Sequence, residues 1–153
     1  MARTLDVDAS EVAVIRPSAK SDTLRLLVKF AMPEDLSKYP ADFACVSFGA
    51  DCTSEAGTIS FQAFALTRDW NAETVSWTGA WDKAGGDWDK SLSSYSVDEI
   101  GTGKTLEFDV TDFVNRWLKE PSKNFGIIVK VSGPYSGAFE VSKASAPKLK
   151  ILY

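Results

Sequence analysis

Short runs of alternating apolar and polar residues, separated by turn residues, recur along the whole chain. In residues 23–30 the even-numbered positions are all apolar, whereas Arg25 and Lys29 lie at odd-numbered positions, and residues 125–131 show a similar alternation. Because side chains alternate between the two faces of a strand, this pattern is typical of strands with one buried and one partly solvated face. It predicts strands at 12–15, 23–30, 43–48, 58–66, 105–109, 125–131, 138–141 and 148–153.

One segment carries a different period. Between residues 110 and 119 the apolar positions recur at i, i+3, i+4, i+7 and i+8, which aligns them as one stripe along a helix. Asp109 stands where a helix N-cap is expected, and Pro121 disfavours helical geometry at Glu120, so the helix should end there. The stripe consists of Val110, Phe113, Val114, Trp117 and Leu118.

These elements predict the fold class. Short strands with turn signals between them are typical of an all-β, jelly-roll-like antiparallel β-sandwich, here with the helix 110–119 across one end. The 153 residues suffice for one core, so we expect a single domain over residues 11–153. Residues 1–10 form an N-terminal segment that either stays flexible or adds as a strand. Residues 78–104 are an irregular stretch of a length that usually carries function or folds back as an extra layer.

Composition and charge narrow the choice of partners. The formal net charge of −4 offers no excess of Lys and Arg for a phosphate backbone, so we expect no nucleic acid partner. No apolar run approaches the length needed to span a bilayer, so membrane insertion is not expected. Residues 1–10 lack the basic-then-apolar layout of a secretory signal.

The set of reactive side chains argues against an enzyme. The chain has no histidine, which removes the commonest general base and metal ligand, and it has no Gly-rich phosphate loop. Its two cysteines cannot build a structural zinc centre. A pair of carboxylates, for example Glu73 with Asp87, is the remaining catalytic alternative, since paired acids hydrolyse glycosides. We expect a non-catalytic protein without a cofactor.

An acidic loop is a candidate calcium site. Asp82, Asp87 and Asp89 surround the pair Gly85 and Gly86, and carboxylate oxygens around a flexible turn are what calcium requires. The alternative is a solvated turn whose aspartates accept hydrogen bonds from their own backbone.

The two cysteines are a candidate disulfide. Cys45 and Cys52 flank residues 49–51, which we interpret as a turn. A short loop can bring two Cβ atoms within disulfide range if the flanking strands pair in register. The alternative is a pair of small, buried hydrophobic side chains.

Four tryptophans lie within residues 70–88 and are a candidate sugar-binding surface. Flat aromatic rings stack on the apolar faces of sugars. We expect Trp70 and Trp77 to pack under the sheet, and we take Trp81 and Trp88 as the candidates for stacking on a glycan.

Basic side chains are concentrated near the N-terminus, at Arg16, Lys20, Arg25 and Lys29. Arg25 and Lys29 share one face of their strand. Such a row can hold an anionic polymer through contacts with its carboxylates. Alternatively, outward basic side chains guard an exposed sheet edge against pairing.

Several segments resemble the bacterial DNRLRE-type domains. The run LEFDVTDFVNRW at 106–117, followed by NFGIIVK at 124–130, is similar to that family's strand, its FDVT-start helix ending in Trp, and its N-[FY]-G strand. LLVKF at 26–30, WNAETVSW at 70–77 and PKLKILY at 147–153 look like further segments of the family. The helix arrangement is also similar to the arm domain of transforming-growth-factor-β propeptides.

The resemblance implies a function as well as a fold. Domains of this type sit on secreted polysaccharide-degrading enzymes and surface proteins, and a carbohydrate-binding module family of this kind binds alginate, an acidic polysaccharide. We therefore expect an extracellular or cell-surface carbohydrate-binding module for an acidic polysaccharide. The alternative is a structural or adhesive subunit of a surface assembly or filament, which self-associates through sheet edges or residues 1–10. The expected glycan-binding residues are Arg16, Lys20, Arg25, Lys29, Trp81 and Trp88.

Overall fold

Antiparallel strands make up most of the fold. The computed structural model describes residues 4–18, 23–32, 40–52, 58–79, 81–99, 104–132, 139–141 and 146–153. Within these ranges one α-helix, α1 (Thr111–Lys119), is followed by one 3-10 turn (Pro121–Lys123). The strands there are β1 (Thr4–Ile15), β2 (Leu24–Phe30), β3 (Phe43–Cys52), β4 (Thr58–Leu66), β5 (Trp88–Glu99), β6 (Lys104–Asp109), β7 (Ile127–Ser132), β8 (Phe139–Val141) and β9 (Lys148–Leu152).

The strands form one continuous hydrogen-bonded sheet. Its order is β5-β4-β7-β2-β1-β9-β3-β6, and β8 pairs with β3 beside this path. All of these pairs are antiparallel. The predicted all-β class with one short helix is therefore confirmed for the described residues. The path does not divide into two separate sheets, so the jelly-roll-like sandwich stays a prediction.

β1 joins the two halves of the sheet and begins earlier than the predicted 12–15. Residues 4–8 pair with β9, while residues 9–15 pair with β2. The register shifts between Ala9 and Glu11, and a bulge of this kind bends a strand and increases its twist. The sheet curls, and the inner faces of both halves contribute to one core.

The core contains aromatic side chains from the sheet and from the helix. Phe48 of β3 and Phe108 of β6 stack with their ring centroids 6.1 Å apart. Trp117 of α1 is 2% exposed and meets Phe113 edge to face. The helix therefore adds its apolar stripe to the same core that the strands enclose.

The helix α1 agrees with its predicted bounds, and its buried side chains belong to the predicted stripe. Its N-cap is Val110 and not the predicted Asp109, which lies one residue earlier. The Asp109 carboxylate accepts hydrogen bonds from the Thr111 N–H at 3.0 Å and from the Thr111 hydroxyl at 2.6 Å. The Ala44 N–H donates to the same hydroxyl oxygen at 3.0 Å. The first turn of the helix is thereby attached to β3.

β5 is the main difference from the sequence pattern, which predicts an irregular stretch at 78–104. Phe64 pairs with Ser93, but the next residue, Ala65, pairs with Asp89, so residues 90–92 bulge out of the ladder. A bulge interrupts the period-two signal from which a strand is predicted. The strand was therefore missed because its alternation is broken and its residues are mostly polar.

The turn predicted at residues 49–51 does not form. β3 runs without a break from Phe43 to Cys52, which separates the Cα atoms of Cys45 and Cys52 by about 23 Å at roughly 3.3 Å per residue. A disulfide needs Cα atoms within about 7 Å of each other. Cys45 is a free cysteine, so the two cysteines are not joined.

Backbone geometry explains why asparagine and glycine stand at positions 124 and 126, just before β7. Gly126 has a φ of +82°, and a Cβ at this position would overlap the Val28 carbonyl oxygen and lie 2.8 Å from the Lys29 Cα. The Asn124 side chain accepts a hydrogen bond from the Gly126 N–H at 3.2 Å and donates one to the Phe30 carbonyl oxygen at 2.8 Å. Only glycine fits where the chain passes this close to β2.

Gly126→Ala should lower the free energy of unfolding by at least about 2 kcal/mol, because alanine disfavours this φ and its methyl group meets backbone atoms that cannot rotate away. Urea unfolding followed by tryptophan fluorescence measures the loss. Gly79→Ala is the matched control, since its added methyl group lies nearest to a single side-chain hydroxyl, that of Ser76. The control should lose less than about 1 kcal/mol, and equal losses in both variants would contradict this explanation.

Candidate functional site

A second layer covers the outer face of the half-sheet that contains β2, β4 and β7. We call this layer the tryptophan loop and define it as residues 69–79 and 81–87, between β4 and β5. A smaller apolar cluster, separate from the main core, holds the layer on the sheet. Leu27, Phe64, Leu66, Trp70 and Ile128 lie at its centre, with Trp77, Trp81 and Trp88 partly buried against it.

Lys29 is enclosed by this layer. Its Nζ lies 2.8 Å from an Asp69 carboxylate oxygen and 3.1 Å from a Glu11 carboxylate oxygen. The same ammonium group donates to the Trp70 carbonyl oxygen at 2.6 Å and lies 4.7 Å from the centroid of the Trp70 ring. Lys29 is therefore a structural cation that attaches the start of the tryptophan loop to β2.

The charged groups around Lys29 shift one another's pKa values. Desolvation acts against the charge of Lys29, but hydrogen bonds to Asp69 and Glu11 outweigh it and raise the pKa of Lys29. The pKa of Glu11 is lowered first by a hydrogen bond from the Ala72 N–H and then by Lys29. The pKa of Asp69 is lowered mainly by its hydrogen bond with Lys29. All three groups are thus stabilised in their charged forms.

A different group of cations surrounds Trp88 on the same outer face. We call it the Trp88 patch and define it as Arg25, Gln62, Trp88, Lys90 and Lys130. The guanidinium carbon of Arg25 lies 5.1 Å from the centroid of the Trp88 ring, and the Nζ of Lys130 lies 5.2 Å from it. Arg25 and Lys130 are register partners across β2 and β7, and Gln62 is the partner of Lys130 on β4. The patch therefore follows one row across three strands.

The tryptophan loop holds Arg25 in position. Its Nη1 donates to the Gly85 carbonyl oxygen at 2.5 Å, and its guanidinium carbon lies 4.6 Å from the centroid of the Trp77 ring. Gly85 has a φ of +90°, and a Cβ there would clash with the guanidinium group. Glycine at this position therefore allows the loop to approach Arg25.

The Trp88 ring is supported from the sheet. It stacks on Phe64 with the ring centroids 5.4 Å apart and the planes 26° apart. Aromatic pairs in this offset geometry attract each other beyond the area that they bury. The orientation of Trp88 is therefore set before any ligand arrives.

The Trp88 patch is electropositive. Desolvation is the main cause that lowers the pKa of Lys130, and the neighbouring charges of Arg25 and Lys90 lower it further. Burial likewise lowers the pKa of Arg25. Among the described residues, no carboxylate forms an ion pair with these three cations. The patch thus combines an aromatic ring with positive charge that a negatively charged ligand would neutralise.

Two of the predicted glycan-binding residues, Arg25 and Trp88, come together in the patch. Lys29 does not join them, because Glu11 and Asp69 occupy its ammonium group. β2 lies between β1 and β7. The alternative interpretation, as guards of an exposed edge, is therefore wrong for Arg25 and Lys29.

Of the other predicted glycan-binding residues, Trp81 and Arg16 lie within the described structure. Trp81 is half-buried, and its indole N–H donates to the Ser76 carbonyl oxygen at 2.9 Å. Arg16 follows the end of β1 and is half-buried. Lys20 lies outside the described residues.

The three aspartates of the acidic loop bind separate partners. Asp82 forms an ion pair with Arg68. Asp87 accepts hydrogen bonds from two N–H groups of the loop, at 2.8 and 3.1 Å, which is the self-bonded turn of the alternative interpretation. Asp89 lies in β5 and pairs with Arg116 at 3.2 Å. No group of three acidic, Cys or His side chains in the described residues could hold a metal ion, so these aspartates do not assemble as calcium ligands.

Sequence reasoning missed Gln62, Lys90 and Lys130. The outward position of Lys130 was visible in the alternation of residues 125–131. Its neighbours on adjacent strands depend on the pairing of β7 with β2 and β4, which the pattern of a single strand does not contain.

Comparison with known proteins assigns no family to the chain, since no protein-family model matches it and no curated protein matches it significantly. The resemblance to the DNRLRE-type domains stays a prediction. In the described part of the chain, no helix is long and apolar enough to cross a bilayer.

Lys29→Met should lower the free energy of unfolding at neutral pH by about 1–3 kcal/mol, because Glu11 and Asp69 lose their shared cation. Folding lowers the pKa values of Glu11 and Asp69, so their carboxylates stabilise the folded protein above their ordinary pKa values of 4.5 and 3.8. This stabilisation is lost as the pH falls through the lowered pKa values of the folded state. The difference between the wild type and the variant should therefore shrink from about pH 5 to about pH 3.

Urea unfolding at a series of pH values measures this difference. Lys150→Met is the control, because Lys150 is exposed on β9 and has no ion pair among the described residues. A Lys29→Met deficit that stays constant down to acid pH would show that lost packing, and not the carboxylates, accounts for it.

Proposed function

We propose that the protein is a non-catalytic, extracellular carbohydrate-binding module for an acidic polysaccharide, which it binds at the Trp88 patch. The observation that carries this proposal is that Arg25 and Lys130 lie against the Trp88 ring, with the charge of Lys90 close to Lys130, and that none of the three has a described carboxylate partner. Carboxylates of a polyuronate would supply the missing counter-charges. The apolar face of a sugar ring would stack on Trp88.

The row of side chains across the strands suits an extended polymer. Arg25, Lys130 and Gln62 are successive register partners on β2, β7 and β4. Adjacent strands lie about 4.8 Å apart, a spacing comparable with the length of one sugar unit. A chain that crosses the strands would therefore meet two cations and then an amide that can bind hydroxyl groups.

The patch is also held in place before binding. Arg25 is fixed by the Gly85 carbonyl oxygen and by two indole rings, and Trp88 is fixed by Phe64. Side chains that are already ordered lose little conformational entropy on binding. The resemblance to the DNRLRE-type domains implies the same class of ligand, an acidic polysaccharide. That resemblance was drawn from sequence segments and not from the Trp88 patch.

Alginate binding at low ionic strength tests this proposal. We expect the wild type to bind alginate and not dextran, with an affinity that falls as salt is added, because exposed charges are screened. Lys130→Gln should weaken alginate binding about tenfold, equivalent to about 1.4 kcal/mol, because it removes one ion pair. Isothermal titration calorimetry measures both effects.

Lys150→Gln is the matched control, since it removes the same charge from the outer face of the other half of the sheet. It should leave alginate affinity unchanged. Equal weakening by Lys130→Gln and Lys150→Gln would mean that overall charge, and not the patch, governs binding. Absence of alginate binding at low salt would reject the proposal.

Self-assembly is the second candidate function, and the charges on the outer faces favour it. Among the described side chains, the outer face of the half-sheet formed by β1, β9, β3 and β6 is mainly acidic. An acidic face on one copy and the Trp88 patch on the next would make a head-to-tail contact, which generates closed rings or open filaments. Residues 4–8 already pair with β9 in the same chain, so this contact relies on charge and not on strand addition. On this outer face the described acidic side chains outnumber the basic ones: the acidic ones are Asp6, Asp8, Glu107 and Asp109, and the basic ones are Lys148 and Lys150.

Light scattering at several protein concentrations, without glycan, tests the second candidate. It predicts growth with concentration at low salt, and Asp6→Asn combined with Asp8→Asn should reduce that growth while leaving alginate binding intact. A monomer at every concentration would reject self-assembly.

A further inference from the structure

A cavity of about 320 Å³ lies beside the edge strand β5, between this strand and the segment that runs from α1 to Phe125. It is separate from the Trp88 patch and shares no residue with it. The residues that matter for its chemistry are Asp89, Leu92, Arg116, Trp117, Lys123 and Phe125.

Asp89, which lines the cavity, and Trp88, the centre of the patch, point to opposite faces of β5. Trp88 pairs with Leu66, which belongs to the outer cluster, whereas Asp89 pairs with Ala65, which belongs to the main core. Residues directly opposite in a ladder share a face, so Trp88 and Asp89 point to opposite sides. Leu92, from the bulge, then forms part of the cavity wall. Bulges are often found next to binding sites because they redirect side chains.

The cavity has an apolar floor and a charged rim. Leu92 and Trp117 are buried and Phe125 is half-buried. The rim carries two cations, Arg116 and Lys123, and one carboxylate, Asp89. An apolar surface with a few convergent polar groups is the usual construction of a small-molecule site.

Asp89 holds the guanidinium group of Arg116 at the rim. One Asp89 carboxylate oxygen lies 3.2 Å from Arg116 Nη1, and the other accepts hydrogen bonds from the Ser91 N–H at 2.9 Å and the Ser91 hydroxyl at 2.7 Å. The Arg116 side chain is 38% exposed. A guanidinium group has five N–H donors, and in the described structure one of them is engaged, which leaves the others for a ligand.

Lys123 adds a positive charge that can bind an anionic ligand. Its Nζ lies 2.9 Å from a Glu120 carboxylate oxygen, and both side chains are about half exposed. Exposed ion pairs of this type contribute little stability, so Lys123 can exchange Glu120 for a bound anion at small cost.

We infer that this cavity is a binding site for one carboxylated sugar unit. Its volume is at the small end of ligand sites, which fits a single unit and not a chain. The remaining donors of Arg116 bind the carboxylate in two-pronged geometry, Asp89 accepts a hydroxyl hydrogen bond, and the apolar floor receives a face of the ring. The ligand class rests on the proposed function, and the unit is either a free sugar acid or the end of an acidic polysaccharide.

An NMR titration of the ¹⁵N-labelled protein with sodium glucuronate tests the inference. We expect saturable shifts of the Trp117 indole N–H and of the Arg116, Lys123 and Phe125 amides, with a dissociation constant in the millimolar range. Glucose should bind at least about tenfold more weakly, because it has no carboxylate for Arg116.

Two variants address the cavity directly. Arg116→Gln should weaken glucuronate binding at least about tenfold by removing the carboxylate contact. Ser122→Trp should block binding by filling the cavity without a change of charge, since Ser122 lines it and is exposed. Arg68→Gln is the matched control, because it also removes an arginine from an ion pair, with Asp82, but lies outside the cavity. The inference would be overturned if glucuronate changed only the chemical shifts of Trp88 and Lys130. It would also be overturned if Arg116→Gln and Ser122→Trp bound glucuronate as well as the wild type does.

The two proposals fail independently. Alginate binding that depends on Lys130, without any glucuronate binding in the cavity, would reject the inference and leave the proposed function standing. Glucuronate binding that depends on Arg116, without alginate binding, would reject the proposed function and identify free sugar acids as the ligand. If short oligouronates change the chemical shifts of the cavity residues, the end of an acidic polysaccharide is identified as the ligand.

Discussion

The attachment of Lys29 to Glu11, Asp69 and the Trp70 carbonyl is the interaction on which the outer face of the sheet depends. A lysine that is covered by protein loses hydration, and this loss must be compensated by hydrogen bonds and opposite charge. Two carboxylates, one from β1 and one from the tryptophan loop, supply that compensation. Their contacts with one cation fix the start of the loop over β2. The remaining loop contacts, including those of Trp77 and Gly85 with Arg25, build on that attachment.

The same constraint separates structural cations from those available for binding. Lys29 has its counter-charges within the fold, whereas Arg25 and Lys130 are balanced by a carbonyl oxygen and aromatic faces. Cation–aromatic contacts compensate only part of a lost hydration shell, so these two residues keep an unsatisfied preference for an anion. A polyuronate is a ligand that would satisfy it while also covering the Trp88 ring, which is the physical basis of the proposed function.

Much of the fold could be predicted from local patterns, and little of the candidate site could. The stripe from Phe113 to Leu118 predicted α1, because helical burial repeats within a few residues. Clean alternation predicted β2 and β7 in the same way. β5 was missed, since its bulge and polar residues remove the local signal. Of the site, Arg25 and Trp88 were named from residue type, but the roles of Lys29 and Lys130 could not be separated because both are simply outward lysines in their strands.

The sequence by itself determined most of the strands, among them β2 and β7, the place of the helix, and that Arg25 and Lys29 share one face of β2. These are properties of residues close together in the chain. The tertiary structure alone decided that Lys29 meets Asp69, forty positions away, that Lys130 lies beside Arg25, and that Asp89 and Arg116 line one cavity. Strand order and register set these contacts, and they follow from the packing of the whole sheet around one core, which no single segment encodes.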